Sequence, residues 1–191
     1  MTRSSVSAAA RARGFTLTEV TIYVAVLAVV GLSLVSVVLA STRSASDHDI
    51  AAKVEERNRT AVTRIEREFR QAITGTAAIS NFGRTLTFTS AAGFDGTSII
   101  AGPTVSFTFE IARGEIWNGL DDNGTGIADE GQLRRTDSAG ATHLISSDID
   151  LANSWFALNG TGIAVTVSSY GPMKDGGSFR MAKTMNIQSR N

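Results

Sequence analysis

The first 75 residues carry two successive hydrophobic patterns. Residues 20–40 form an apolar run of 21 residues without a charged residue or a proline. A helix of that length spans about 30 Å, the thickness of a bilayer core. From Asp47 to Thr74, apolar residues recur at three- and four-residue spacing among charged ones, which is typical of an amphipathic helix. The small polar residues 41–46 between the two patterns favour a break or bend in the helix.

The remainder of the chain, residues 76–191, predicts an antiparallel β head. Gly75 is the predicted C-cap of the helix, and the hydrophobic period changes to two after it. Asn159-Gly160 between two strand patterns predicts a hairpin. We therefore expect an α+β fold with a long N-terminal helix packed on an antiparallel sheet. The predicted strands cover residues 86–88, 105–111, 115–117, 132–136, 155–158, 163–167 and 179–187.

The charges that flank the apolar run predict its orientation in a membrane. Arg3, Arg11 and Arg13 precede the run without any acid, and only Arg43 follows it closely. The N-terminus is therefore expected in the cytoplasm, with a single pass through the inner membrane and a periplasmic or extracellular head. The alternative is a cleaved secretory signal peptide, but the run is longer than the usual 7–15 apolar residues and begins after a glutamate.

Glu19 is an acid at the start of a membrane segment. An ionised side chain at the bilayer centre costs about 2.5–3.5 kcal/mol, so it needs a partner, and residues 20–40 contain none. Alternatively, Glu19 lies at interfacial depth near the helix N-terminus, where the helix dipole favours an anion by about 0.3–1 kcal/mol. Both situations can hold, one in the stored and one in the assembled molecule.

The residues Gly14-Phe15-Thr16-Leu17-Thr18-Glu19 after a short basic leader resemble the type III signal of type IV pilins and type II secretion pseudopilins. The resemblance implies that prepilin peptidase cuts between Gly14 and Phe15 and methylates the new amine. Residues 1–14 would then be a cleaved leader, residues 15–40 a transmembrane and assembly helix, and residues 41–75 an amphipathic helix that joins the head. The charged amine of Phe15 on a neighbouring subunit would pair with Glu19.

The head carries a second, more diffuse resemblance. The strand at residues 105–111, a later strand with Leu133-Arg134-Arg135 and a closing strand that ends at Ser189-Arg190-Asn191 resemble J-type pseudopilins and W-type minor pilins. This implies a minor subunit near the tip of a type II secretion pseudopilus or a type IV pilus, in contact with other major and minor subunits. The tip subunit itself lacks the acid in this family, so Glu19 argues against that place.

Residues 118–131 form an acidic, glycine-rich loop. Counted from Asp121, oxygen ligands fall at positions one, three, five, seven and nine, with Gly126 at six, as in the first part of an EF-hand calcium loop. Gln132 stands where the bidentate glutamate belongs, so we expect a structural calcium site with a Kd of about 10⁻⁴–10⁻³ M. The alternative is a solvated hairpin loop. The candidate ligands are Asp121, Asn123, Thr125, the carbonyl of Ile127, Asp129 and Glu130.

Composition excludes several other classes of function. Residues 15–191 carry 15 basic and 18 acidic residues, because three of the 18 basic residues lie in the leader, so no nucleic-acid contact is predicted. The chain has no cysteine, and His48 and His143 are isolated. We therefore expect neither an enzyme nor a small-molecule substrate. The rival hypothesis is a non-polymerising, membrane-anchored calcium-binding or adhesion module.

Overall fold

One helix dominates the N-terminal third of the protein. The structure is a computed structural model that describes residues 15–124, 127, 129–173 and 177–189. The chain divides into two units, one before Ser46 and one from Ser46 onward, and the 53-residue helix α1 (Leu17–Phe69) contributes to both. The helix continues through residues 41–46, so the predicted break is wrong. These residues contain neither glycine nor proline, and nothing interrupts the i→i−4 hydrogen bonds there.

The N-terminal half of α1 is long and apolar enough to cross a membrane, with a mean hydropathy of 2.7 over 18 residues. The side chains of residues 17–40 are exposed throughout, and none of that window is buried by the described chain. A helix that is apolar on all sides is normally surrounded by lipid or by other helices. No other described residue covers this half of α1.

The C-terminal part of α1 is amphipathic, as predicted, but it ends earlier than expected. The helix stops at Phe69, five residues before Thr74, because the following segment pairs with the sheet. Ala72 forms a β-bridge with Ser90, and the Ile73 N–H donates to the Thr89 carbonyl at 2.9 Å. Tertiary pairing thus overrides the helical pattern. The buried helix residues are Val54, Asn58, Ala61, Val62, Ile65 and Phe69.

The head is an eight-stranded antiparallel sheet in which β1, β2, β3, β4, β5, β7 and β6 are neighbours in that order. β8 pairs with β7 along its length, while β5 and β6 pair with different parts of β7. The α+β class with a helix on an antiparallel sheet is therefore confirmed. The strands are β1 (Ala78–Ser80), β2 (Thr85–Phe94), β3 (Ile99–Ile111), β4 (Glu130–Thr136), β5 (Thr142–Asp150), β6 (Trp155–Asn159), β7 (Gly162–Pro172) and β8 (Ser178–Gln188), with a 3₁₀ helix at Leu151–Asn153.

Most predicted strands lie within these elements, and two differences have a physical cause. Residues 115–117 are not a strand, because the Glu115 N–H donates to the Ala112 carbonyl and turns the chain into a loop. β5 was not predicted, since its sequence Thr-His-Leu-Ile-Ser-Ser-Asp-Ile-Asp lacks regular alternation. The hairpin between β6 and β7 is confirmed, with Asn159 paired to Gly162 and Gly160 at a φ of 61°.

Aromatic rings fill the core between α1 and the sheet. Phe69 of the helix meets the edge of Phe88 at 5.3 Å between ring centroids, and Phe88 stacks on Phe107 at 6.3 Å. Phe109 stacks on Phe156 at 4.7 Å. All five rings are at most 2% exposed, so the helix and the sheet share one continuous core.

A buried amide fixes α1 on the last two strands. Asn58 is 1% exposed, and its Nδ2 donates to the Met181 carbonyl at 2.8 Å while its Oδ1 accepts from the Ser169 hydroxyl at 2.5 Å. Gly171 permits this close approach, since a Cβ there would lie 2.5 Å from Ile50 Cγ2. The hydrogen bonds of Asn58 and the lack of a side chain at Gly171 therefore set the position of α1 on β7.

Replacement of this amide tests the contact. Asn58→Leu keeps the volume but leaves the Met181 carbonyl and the Ser169 hydroxyl unpaired, and each such buried group costs about 1–3 kcal/mol. We expect the free energy of unfolding of the head, residues 46–191, to fall by about 2 kcal/mol in urea denaturation. The exposed control Asn186→Leu should change it by less than about 0.5 kcal/mol. Equal effects of the two substitutions would contradict this role of Asn58.

Candidate functional site

The helix N-terminus holds Glu19 in a capping box with Thr16. The backbone N–H and the hydroxyl of Thr16 both donate to Glu19 Oε2 at 2.9 Å, and the Glu19 N–H donates to Thr16 Oγ1 at 3.3 Å. The Thr16 carbonyl accepts the first helical hydrogen bond from Val20 at 3.1 Å. This reciprocal arrangement satisfies N–H groups that have no partner inside the helix.

Glu19 therefore has a neutral partner one turn away, which precedes the apolar run of residues 20–40. The Thr-x-x-Glu spacing of Thr16 and Glu19 is the sequence signature of a capping box and would have predicted it. Within the described chain, Oε1 of Glu19 accepts no hydrogen bond and no cation lies against the carboxylate. The cap orients the acid, and its charge has no cationic partner among the described residues.

Phe15 lies immediately before the cap and is 73% exposed. Its ring meets the edge of the Tyr23 ring at 5.9 Å between centroids, so it folds along the first two turns of α1. Gly14, the other residue of the predicted cleavage site, lies outside the described residues. Phe15 and Glu19, the two residues predicted to act in assembly, thus both lie at the exposed start of the apolar helix.

The acidic loop between β3 and β4 is organised around Glu115, a residue that the sequence had placed in a strand. Glu115 is 8% exposed, and its Oε1 accepts the backbone N–H groups of Asp122 and Asn123, each at 3.1 Å. Its Oε2 accepts the N–H of Asp129 at 3.2 Å. Three N–H groups of the loop thus point to the Glu115 carboxylate.

The predicted calcium ligands make similar contacts. The two oxygens of Asp129 accept the N–H groups of Asn118 and Gly119 at 2.8 and 2.9 Å, with Asp129 at a φ of 52°. Asp121 Oδ1 accepts the N–H of Gly124 at 2.7 Å. Asp121 and Asp129 therefore stabilise turns of the loop backbone.

The remaining candidate ligands point to other partners. Asn123 Nδ2 donates to Glu130 Oε1 at 2.9 Å, and Glu130 is 4% exposed. Ile127 is buried at 5% exposure, and Thr125 lies outside the described residues. Among the residues that are described, no group of three or more acids, histidines or cysteines is placed to hold a metal ion. The calcium site stays a prediction, and Asp129 would have to exchange its N–H donors for the ion.

Comparisons of the chain with protein-family models, with curated proteins and with solved structures find no match. The function is therefore inferred from the helix N-terminus, from the exposed apolar half of α1 and from the organisation of the head. Of these, the helix N-terminus carries the most specific chemistry, because a capped carboxylate that has no cation partner among the described residues begins an apolar helix there.

Removal of the Glu115 carboxylate tests how the acidic loop is held. In Glu115→Ala, the amides of Asp122, Asn123 and Asp129 lose their acceptor, so we expect their hydrogen exchange to accelerate at least about tenfold in head residues 46–191, which corresponds to roughly 1.4 kcal/mol. The control Glu110→Ala removes a 42% exposed side chain that pairs with Arg134 and should leave these three amides unchanged.

Hydrogen exchange measured in calcium and in chelator distinguishes a loop that is ordered by Glu115 alone from one that is ordered by a calcium ion. If Glu115 alone orders the loop, exchange of the three amides is equal in both solutions. A structural calcium ion would slow exchange and raise the melting temperature when it binds. Protection of these amides that persists in Glu115→Ala without calcium would contradict the role of Glu115.

Proposed function

We propose that this chain is a minor pilin or pseudopilin. Prepilin peptidase cuts it between Gly14 and Phe15, and residues 15–40 hold it in the inner membrane. It then enters a type II secretion pseudopilus or a type IV pilus near the tip, beside other major and minor subunits. The observation that carries this proposal is Glu19, a carboxylate at the start of an exposed apolar helix that meets no cation in the part of the chain that the structure describes.

Cleavage after Gly14 would supply the missing cation. The new N-terminus at Phe15 is a positively charged amine, and methylation of that amine leaves its charge in place. When two subunits lie side by side, the amine of one and Glu19 of the other attract each other strongly, because little water screens charges in an apolar environment. The pair would set the axial register between neighbouring helices.

The capping box supports this role by preparing the carboxylate. Thr16 satisfies Oε2 and fixes the side chain against the first turn, so Oε1 is left for a second donor. A carboxylate that is already oriented loses less side-chain entropy when it pairs. Thr16 is therefore a positioning residue for Glu19.

The continuity of α1 supports assembly through the N-terminal half. One helix contains both the exposed residues 17–40 and the buried face between Val54 and Phe69. The apolar segment proposed to pack in the assembly and the helix face that completes the head are thus parts of one helix. The head needs no disulfide, because α1 itself completes the core. Calcium, if it binds the acidic loop, would have a structural role there.

A charge-only substitution tests the proposed pairing. Glutamine also serves in capping boxes, so Glu19→Gln keeps the helix start and removes only the charge. We expect its incorporation into sheared filaments to fall at least about tenfold, as in Glu19→Ala, which corresponds to about 1.4 kcal/mol. Thr16→Ala, which weakens the cap and keeps the charge, should incorporate far better than either variant. Incorporation is measured as the filament-to-membrane ratio of the full chain.

The incorporation of these variants distinguishes a role of Glu19 in an ion pair between subunits from a role in helix capping alone. Wild-type incorporation of Glu19→Gln with loss in Glu19→Ala would show that only the cap matters and would contradict the pairing. A wild-type chain that stays in the membrane and never enters a filament would favour the rival hypothesis, a non-polymerising membrane-anchored module.

A further inference from the structure

The turn between β1 and β2 holds a phenylalanine fully in solvent. Asn81 and Phe82 both have a φ of 53°, in the left-handed region that a bulky side chain rarely adopts, and Phe82 is completely exposed. Two backbone hydrogen bonds fix the turn: the Arg84 N–H donates to the Asn81 carbonyl at 3.0 Å, and the Phe156 N–H donates to the Gly83 carbonyl at 2.7 Å. Strained backbone that is held in place by hydrogen bonds often occurs at functional sites.

The side chain of Arg84, beside this turn, is held by an aromatic ring but has no acidic partner among the described residues. Its Cζ lies 5.5 Å from the ring centroid of Trp117, in a cation–π contact. Within the described chain, no carboxylate and no hydrogen-bond acceptor engages its side chain. Trp155 is close by, since a Cβ on Gly83 would lie 3.7 Å from its Cβ. We name the surface formed by Phe82, Arg84, Trp117 and Trp155 the knob. A stacked guanidinium presents its N–H groups to an external carboxylate.

A groove between α1 and β5 has the complementary chemistry. It is a shallow, open groove with a volume of about 510 Å³, lined by Ala52, Lys53, Glu56, Arg57, Thr60 and Ile145. Its two cations are already paired, Lys53 with Asp49 at 2.6 Å and Arg57 with Asp148. Glu56 accepts only a 3.4 Å hydrogen bond from the Thr60 hydroxyl and has no cation partner among the described residues. The groove therefore offers an apolar wall beside an uncompensated carboxylate.

We propose that the knob of one copy of this chain docks into the groove of a second copy. Phe82 packs against Ala52 and Ile145, and Arg84 pairs with Glu56. Aromatic and arginine side chains with this exposure are the residues that dominate protein interfaces. Because knob and groove are different surfaces of one molecule, the contact is heterologous and can repeat from copy to copy.

This contact between two copies is separate from the proposed assembly of the chain into a filament. It needs only two copies in one membrane, so it does not depend on cleavage or on the pairing of Glu19. It also requires that copies of this chain lie side by side, which a place near a filament tip does not require.

Disulfide trapping tests the contact cleanly, because the chain has no cysteine. One tagged full-length copy carries Asn81→Cys next to the knob, and a second copy carries Ala52→Cys at an exposed position in the lining of the groove. Co-expression in the native membrane and mild oxidation should give a mixed dimer. The control pairs Ala52→Cys with Phe94→Cys, which places the thiol on the exposed hairpin between β2 and β3. That pair should stay monomeric.

Charge exchange then tests the ion pair. Arg84→Glu in the knob copy should reduce the mixed dimer at least tenfold, and Glu56→Arg in the groove copy should restore it. A mixed dimer at the level of the Phe94→Cys control would overturn the contact. A mixed dimer that Arg84→Glu leaves unchanged, or that Glu56→Arg does not restore, would overturn the pairing of Arg84 with Glu56. Processing at Phe15 is measured separately, so failure of the filament proposal is distinguishable.

Discussion

The head has no complete core without α1. The helix contributes its buried face between Val54 and Phe69 to the aromatic layer of Phe88 and Phe107, and its amide at Asn58 satisfies a carbonyl and a hydroxyl of the last strands. No disulfide can replace this contact, because the chain has no cysteine. The same helix continues into an apolar segment that the chain leaves exposed. Folding of the head and packing of the N-terminal half are therefore properties of one continuous element.

The carboxylate of Glu19 connects this architecture to the proposed function. In a low-dielectric environment its charge is costly, and the cap from Thr16 offsets only part of that cost because both donors are neutral. The cap explains how a single subunit tolerates the acid at the helix start. Under the proposed function, a cation from a neighbouring subunit is what the assembled state would gain, so storage and assembly would differ by one ion pair.

Elements with strong local periodicity were predictable from the sequence. The amphipathic helix, the alternating residues of β3 and the hairpin at Asn159-Gly160 all follow their patterns, since local preference and tertiary packing agree there. The end of α1 at Phe69 was not predictable, because pairing of Ala72 with Ser90 decides it. β5 has polar residues on both faces and joins the sheet through tertiary contacts.

The candidate sites likewise contain features that the sequence predicts and features that depend on tertiary structure. The capping box was readable from the Thr-x-x-Glu spacing, whereas the role of Glu115 depends on a loop that brings three distant N–H groups to one carboxylate. The sequence shows that this loop is rich in acidic residues, but it does not show which hydrogen-bond donors their carboxylates contact. The knob likewise combines a turn, a loop and a strand that are far apart in the chain.

The mass of the mature N-terminus tests the central claim most directly. Purified from its native membrane, the chain should begin at Phe15 and carry a methyl group on the amine, because the proposed ion pair with Glu19 needs that charged terminus. A chain that begins at Met1, or one cut after the apolar segment near Ala40, would contradict the account.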